Sequence, residues 1–207
     1  MTPDEIANAP VIGITGRAGA GKTTVANWLI VNHKNVIKYS FAAPLKAMIY
    51  ELLRRCTPAK WPVKAADYIS NPAKKEEPIP FLANQTPRRL MQTLGTEWGR
   101  EALHPDFWVQ LAQDKLERQL GHTFHSRADR TLAAVFDDVR FANEAAMIRS
   151  YGGCIVRIER PGDAIAPNHA SEAMDFDVDL TIANDGDADA LRAEIAAIWP
   201  PTVTPKS

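Results

Sequence analysis

Cysteine is scarce in this chain of 207 residues: the two present, Cys56 and Cys154, form no CxxC pair and share no zinc-site spacing with histidine. Neither a disulfide framework nor a structural metal is indicated, and both read as plain thiols. An excess of one charge is also lacking. Lys+Arg 24 against Asp+Glu 25 leave a formal net charge of -1, without the basic surplus of a protein held to polymeric nucleic acid through its phosphates. Long hydrophobic runs are missing as well. The first apolar stretch, Val11 to Ile14, follows an acidic opening and is far too short for a signal peptide or a membrane span. The expectation is a cytoplasmic protein with neither membrane nor polymeric nucleic acid as partner. The chain has no internal repeat. Its 45% hydrophobic and 24% charged residues suit one soluble domain with a proper core.

Strand and helix patterns alternate. Val11 to Thr15 reads as a buried strand, Thr24 to Ile30 as a helix, Val36 to Ser40 as a second strand, and Leu45, Met48, Ile49, Leu52 and Leu53 recur at helical spacing up to Cys56. From Thr57 to Thr86 prolines break the pattern. Thr86-Pro87 then opens a helix with Leu90, Leu94 and Trp98 on one face, and another helix runs from near His104-Pro105 to Gly121. The later elements are strand Leu132 to Phe136, helix Asn143 to Tyr151, strand Cys154 to Ile158, strand Asp179 to Ile182 and a last helix carrying Leu191, Ile195 and Ile198. This alternation predicts an α/β fold with a central parallel sheet covered on both faces.

Gly16-Arg17-Ala18-Gly19-Ala20-Gly21-Lys22-Thr23 satisfies G-x-x-x-x-G-K-[ST], between a strand and a helix as the P-loop requires. Glycines let the loop turn its N–H groups toward phosphate oxygens, and the helix N-terminus adds its positive dipole end. Gly16, Ala18, Gly19, Ala20, Gly21, Lys22, Thr23 and Thr24 are thus expected to bind ATP, with Lys22 on the terminal phosphates and Thr23 on Mg²⁺. Arg17 only weakly matches the lysine that partition-type ATPases place there.

Ligands of open α/β sheets gather at the carboxyl ends of strands. Three segments leave such ends: Ser40 to Lys46, Asp137 to Glu144, and Arg157 to Gly162. A carboxylate there, Asp138 or Asp137, is suited to holding Mg²⁺ through water or taking a proton from an attacking group. Arginines Arg88, Arg100, Arg140, Arg157 and Arg160 supply the positive groups that phosphoryl transfer between two anions demands, while Arg89, Arg118 and Arg149 read as surface residues. Trp28, Trp98 and Trp199 read as core, and Trp108 is balanced between a base platform and packing.

Taken together, the Walker loop, Phe41 to Lys46, Arg88 through Gln92-Thr93-Leu94-Gly95-Thr96 to Arg100, Pro105 to Trp108, Asp138 to Glu144 and His169 to Glu172 resemble the phage-type deoxynucleoside monophosphate kinases. That resemblance implies a P-loop kinase fold of three layers over residues 1–207, with 57–131 as a helical monophosphate-binding insertion and 160–177 as a lid. It implies ATP and Mg²⁺ as cofactors and a deoxynucleoside 5′-monophosphate as acceptor. Phe41, Lys46, Arg88, Gln92, Gly95, Thr96, Arg100, Trp108, Asp138, Arg140 and Glu144 would bind the monophosphate, and Asn184 and Gly186 would border the adenine of ATP. Lys22, Asp138, Arg140, Arg157 and Arg160 are the expected catalytic set, with Thr23 and Asp138 as metal ligands. The resemblance also suggests a homodimer and a phage origin, hence a host cytoplasm. Two other readings compete: a dephospho-coenzyme A kinase, which leaves Gly95 to Arg100 unexplained, and a P-loop ATPase switch with no small acceptor.

Overall fold

Every residue of Val11–Thr15 (β1) is buried, as a strand covered on both faces requires. In the computed structural model, residues 1–60, 63–121, 132–161 and 174–202 are described. Around β1 they form Pro3–Ala7 (α1), Lys22–Asn32 (α2), Ile37–Tyr39 (β2), Ala43–Cys56 (α3), Ala65–Ser70 (α4), Pro87–Gln92 (α5), a π-helical stretch Thr93–Leu103, Phe107–Leu120 (α6), Ala134–Phe136 (β3), Ala142–Ser150 (α7), Cys154–Glu159 (β4), Leu180–Ala183 (β5) and Ala188–Ile198 (α8).

The chain divides into two compact units, Met1–Phe41 with Val109–Ser207, and Ala42–Trp108. In the first, five strands lie in the order β2-β3-β1-β4-β5, and every pairing is parallel. The order switches direction beside β1, which places the crevice of an open α/β sheet at β1's carboxyl end. Alternate strand residues face opposite layers. Ile12, Ile14, Val135, Val156 and Ile158 pack with Val25 and Leu29 of α2 and Leu191 and Ile195 of α8, whereas Val11, Phe136 and Ile155 pack with Leu116 of α6 and Ile148 of α7. Helices on both faces of a parallel sheet, with the phosphate loop between β1 and α2, make the three-layer P-loop architecture expected from the sequence.

The second unit has its own core of Leu45, Ile49, Leu53, Tyr68, Ile79 and Trp108. The sequence reading bounds the insertion at 57–131. The second unit instead runs from Ala42 to Trp108, because the buried stripe of α3 belongs to its core, whereas Val109, Ala112 and Leu116 belong to that of the first. On α3 the spacing also marks Met48 and Leu52 as buried, yet they are 44% and 43% exposed: one stripe at i, i+4 and i+8 already fills the space available. Thr86 caps α5 by accepting from the backbone N–H of Arg89 at 3.1 Å, with Pro87 next, as its residue types predict. Past Gln92 the helix widens into π turns that close with His104 N–H donating to Gly99 O, five residues back. Trp98 consequently turns off the α-helical stripe that predicted its burial and is 38% exposed. Among the described residues no helix is long and apolar enough to cross a membrane.

Candidate active site

The phosphate loop is built by backbone constraints. Gly16 has φ +135°, and a Cβ there would lie 2.4 Å from Ile158 O of β4, so only glycine lets the loop leave β1 this close to the next strand. Gly21, at φ +109°, stands at the N-cap of α2 and supplies no side-chain cap, leaving the first-turn N–H groups without the side-chain acceptor most helices have. Lys22 Nζ folds back onto the loop, donating to Gly16 O and Arg17 O at 2.6 Å each. Ala20 is buried under the loop, while Ala18, Gly19 and Thr23 are exposed and Thr24 is half-buried.

The turn after β3 is gripped by the end of β2, residue against residue. The Phe136 ring stacks on Tyr39 at 5.1 Å and on Phe41 at 4.7 Å. Asp137 pairs with Lys38 at 2.7 Å. Asp138 accepts from the Ser40 hydroxyl at 2.6 Å on one carboxylate oxygen and from the Phe41 backbone N–H at 2.9 Å on the other. Val139 N–H then donates to Ile14 O of β1 at 3.1 Å. Phe41, expected in the acceptor site, thus has its ring in the core, at 2% exposure. Burial of Tyr39, whose hydroxyl has no hydrogen-bond partner, pushes its pKa up to about 12.

Glu144 is 2% exposed, and its carboxylate accepts from the backbone N–H groups of Arg140 at 2.7 Å and Phe141 at 3.2 Å. It closes the start of α7 as a capping-box acid does and fixes the bend that carries Arg140. Arg157 lies on β4 in register with Thr15 and Thr181. Arg160 Nη1 reaches Gly19 O at 3.4 Å, which brings that guanidinium to the loop's edge. Asn184 is buried and donates to Ala20 O at 2.8 Å, and Gly186 follows it before α8. Of the expected lid, 162–173 lie outside the described residues, and so do His169, Ser171 and Glu172.

In the second unit, Trp108 Nε1 donates to Gly95 O at 2.7 Å, and a Cβ on Gly99 would come within 2.4 Å of that nitrogen. Glycines one turn apart therefore seat the indole, and Trp108, at 2% exposure, is packed as a core residue. Arg100 donates to Pro105 O at 3.0 Å, holding the segment that ends at Trp108. Arg88 pairs with Glu76 on the surface. Lys46 lies on α3, Gln92 ends α5, and Thr96 belongs to the π-helical stretch. The first unit thus brings together the phosphate loop, Asp138, Arg140, Arg160 and Asn184; the second gathers Gly95, Arg100 and Trp108.

The family model described as deoxynucleotide monophosphate kinase matches residues 71–195. The chain belongs to the deoxynucleotide monophosphate kinase family. A protein of Acanthamoeba polyphaga mimivirus that bears the family's name is 31% identical, over 78% of this chain and 80% of its own length. The deoxynucleoside-5′-monophosphate kinase of Escherichia phage T5 is 24% identical, over 67% of this chain and 71% of its own. A solved structure of an APS kinase CysC mutant from Mycobacterium tuberculosis aligns with 92% of this chain and 96% of that one, at 16% identity and a TM-score of 0.33.

For a member of the deoxynucleotide monophosphate kinase family, the sequence signals were uneven. The Walker loop is legible in any chain because its spacing follows from phosphate geometry. Ser40 and its grip on Asp138 were missed: a serine at a strand end has no spacing rule, and the two are 98 residues apart. The exposed Thr23 hydroxyl and the half-buried Asp138 carboxylate are hard oxygen donors of the kind Mg²⁺ takes alongside phosphate. Among the described residues no group of three or more His, Cys, Asp or Glu could hold a metal without such help.

Proposed function

We propose that this chain transfers the γ-phosphoryl group of ATP to the 5′-phosphate of a deoxynucleoside monophosphate, giving ADP and the deoxynucleoside diphosphate. One observation carries the reading: the family match at 71–195 leaves out the phosphate loop at 16–23. A generic nucleotide-binding loop therefore did not produce the match. The loop supplies the donor half of the argument, and the matched residues supply the acceptor half. Family membership also decides against the dephospho-coenzyme A kinase and the ATPase switch.

In the reaction a phosphate oxygen of the acceptor bonds to the γ-phosphorus as the bond from that phosphorus to the β,γ-bridging oxygen breaks, and ADP leaves. The first-turn N–H groups of α2 and the loop amides hold the β- and γ-phosphates. Lys22 exchanges its bonds to Gly16 O and Arg17 O for phosphate oxygens, a swap between acceptors already at 2.6 Å that costs little reorganisation. Mg²⁺, which Thr23 and Asp138 would hold, supplies neutralisation of the charge on the phosphates. Arg140 and Arg88 clamp the acceptor phosphate, and Arg157 and Arg160 screen the migrating group. Gly95, Thr96, Arg100 and Gln92 shape the acceptor pocket with Lys46, and Asn184 and Gly186 border the adenine. The segment 160–177 acts as a lid that excludes water, a competing acceptor. The active form is a homodimer, which sedimentation velocity checks directly.

A coupled assay of ADP release, run with and without a panel of nucleoside monophosphates, tests the function. The expected result is turnover that depends on a deoxynucleoside monophosphate. ADP release at the same rate without any acceptor overturns the proposal in favour of an ATPase.

A further inference from the structure

We infer that Ser40 is a positioning residue for the reaction, acting through Asp138. The inference rests on the proposed role of Asp138 in phosphoryl transfer and adds to it the group that aims the carboxylate. Ser40 is the first residue after β2, and its hydroxyl donates to Asp138 Oδ2 at 2.6 Å. The backbone N–H of the next residue, Phe41, donates to Oδ1 at 2.9 Å. A carboxylate held at both oxygens by donors on one short segment has lost rotation about its terminal torsion, which is otherwise broad for aspartate. Its plane is set before any nucleotide arrives.

The surroundings explain why a serine is needed to finish the job. The peptide N–H of Phe41 is itself fixed, because its ring is stacked on Phe136 at 4.7 Å and buried. Asp137 is turned to the other side by Lys38 at 2.7 Å. Of the two adjacent acids, one is neutralised by a lysine and the other receives two hydrogen bonds that leave its charge uncompensated by a cation in these contacts. Hydroxyl and amide donors orient an anion without cancelling its charge. That suits a carboxylate whose work is to face Mg²⁺ or phosphate-bound water, and a lysine or arginine in the place of Ser40 would defeat it. Catalytic groups depend on such supporting bonds, since a shift of about 1 Å can cost on the order of a hundredfold in rate.

The test compares Ser40→Ala, Ser40→Thr, Ser40→Val and Asp138→Asn. Each is measured for kcat, for KM of ATP and of the monophosphate, for Tm, and for the thermal shift produced by ATP with and without Mg²⁺. Loss of one hydrogen bond to a charged group predicts that Ser40→Ala lowers kcat about ten- to a hundredfold. KM for ATP should stay within about twofold, because the phosphate loop is untouched. The Mg²⁺-dependent part of the thermal shift should shrink, and Ser40→Thr, which restores the hydroxyl, should recover most of the rate. Ser40→Val has nearly the shape of threonine without its hydroxyl, so the Thr/Val pair separates hydrogen bonding from packing even if Ser40→Ala lowers Tm. Valine as active as threonine overturns the proposal, as does a Ser40→Ala enzyme with full kcat while Asp138→Asn is inactive. A fully active Asp138→Asn enzyme instead sinks the catalytic reading of Asp138 itself, whatever the Ser40 variants do.

Discussion

The side-chain amide of Asn184 donates to the carbonyl oxygen of Ala20 at 2.8 Å, fastening the phosphate loop to a residue 164 positions later in the chain. Gly21 lies directly beneath that amide, since a Cβ on Gly21 would fall 2.8 Å from Asn184 Nδ2. Backbone hydrogen bonding from Asn184 N–H to Glu159 O anchors the asparagine in turn to the end of β4. The loop's shape therefore depends on three strands' ends and not on its glycines alone. Asn184→Ala leaves Ala20 O buried without this donor, which predicts a stability loss of about 1 to 3 kcal/mol. ATP affinity should fall as well. Thermal melts with an ATP titration check both, and a variant with unchanged Tm and unchanged ATP binding refutes the fastening.

Lys22→Ala should remove most phosphoryl transfer while leaving the fold intact. Its ammonium bonds only to loop carbonyls among the contacts described above, and no core residue packs on it in either cluster of the first unit. Removing a preorganised positive donor from a site of developing charge costs on the order of a hundredfold or more in kcat. Circular dichroism and steady-state assays on the purified variant decide the matter: a folded protein with near-normal turnover contradicts it.

Arg88→Ala and Arg140→Ala should weaken monophosphate binding by about 1.5 to 3 kcal/mol and ATP binding much less, because a guanidinium–phosphate pair is charge-assisted. The two differ in how they are held. Arg88 pairs with Glu76 on the surface, and such pairs contribute little to stability, so its loss should leave Tm unchanged. Arg140 stands on a bend fixed by the buried Glu144. Glu144→Ala should therefore reproduce the binding defect of Arg140→Ala and lower Tm too, as loss of a buried helix cap does. Titrations of each nucleotide against the three variants discriminate, with equal losses for both ligands refuting the acceptor assignment.

How much of this was legible beforehand follows from which forces set each feature. Val11 to Thr15 and Leu132 to Phe136 were readable as strands because a sheet covered on both faces demands unbroken apolar runs, although pairing extends only over Ala134–Phe136. The start of α5 was readable because Thr86 and Pro87 act locally. Local rules did not reveal the π turns over Thr93–Leu103: these follow from Trp108 settling against Gly95 and Gly99, a contact between segments that periodicity does not see. The same limit hid the grip of Ser40 on Asp138. Arg157 and Arg160 were picked out by their place at a strand end. Arg160 reaches the loop at Gly19 O, while 162–173, the middle of the expected lid, lie outside the described residues.

The two cysteines should behave oppositely toward alkylation, and the buried one should make the protein sensitive to alkali. Cys56 is exposed at the end of α3, whereas Cys154 begins β4 with no exposed surface. Burial, first, and then the nearby Asp179 carboxylate push the Cys154 thiol up to about 12, from an ordinary value of 9.0. Tyr39 is pushed up by burial to about 12 as well. In the unfolded chain both groups give up their protons at their ordinary values, so above that point the native state binds more protons than the unfolded one. Stability must then fall with rising pH. The contribution is fully present below about pH 9 and is lost progressively as pH approaches 12, first through Cys154 and then through Tyr39. Iodoacetamide at pH 8 should modify Cys56 alone in the native protein, and both cysteines after denaturation. Urea melts between pH 8 and 11 should show a declining midpoint, with a shallower decline in Cys154→Ala, which no longer has a thiol to ionise. Rapid native-state labelling of Cys154, or a decline just as steep in Cys154→Ala, would show that this thiol is not the buried, proton-retaining group the fold makes it.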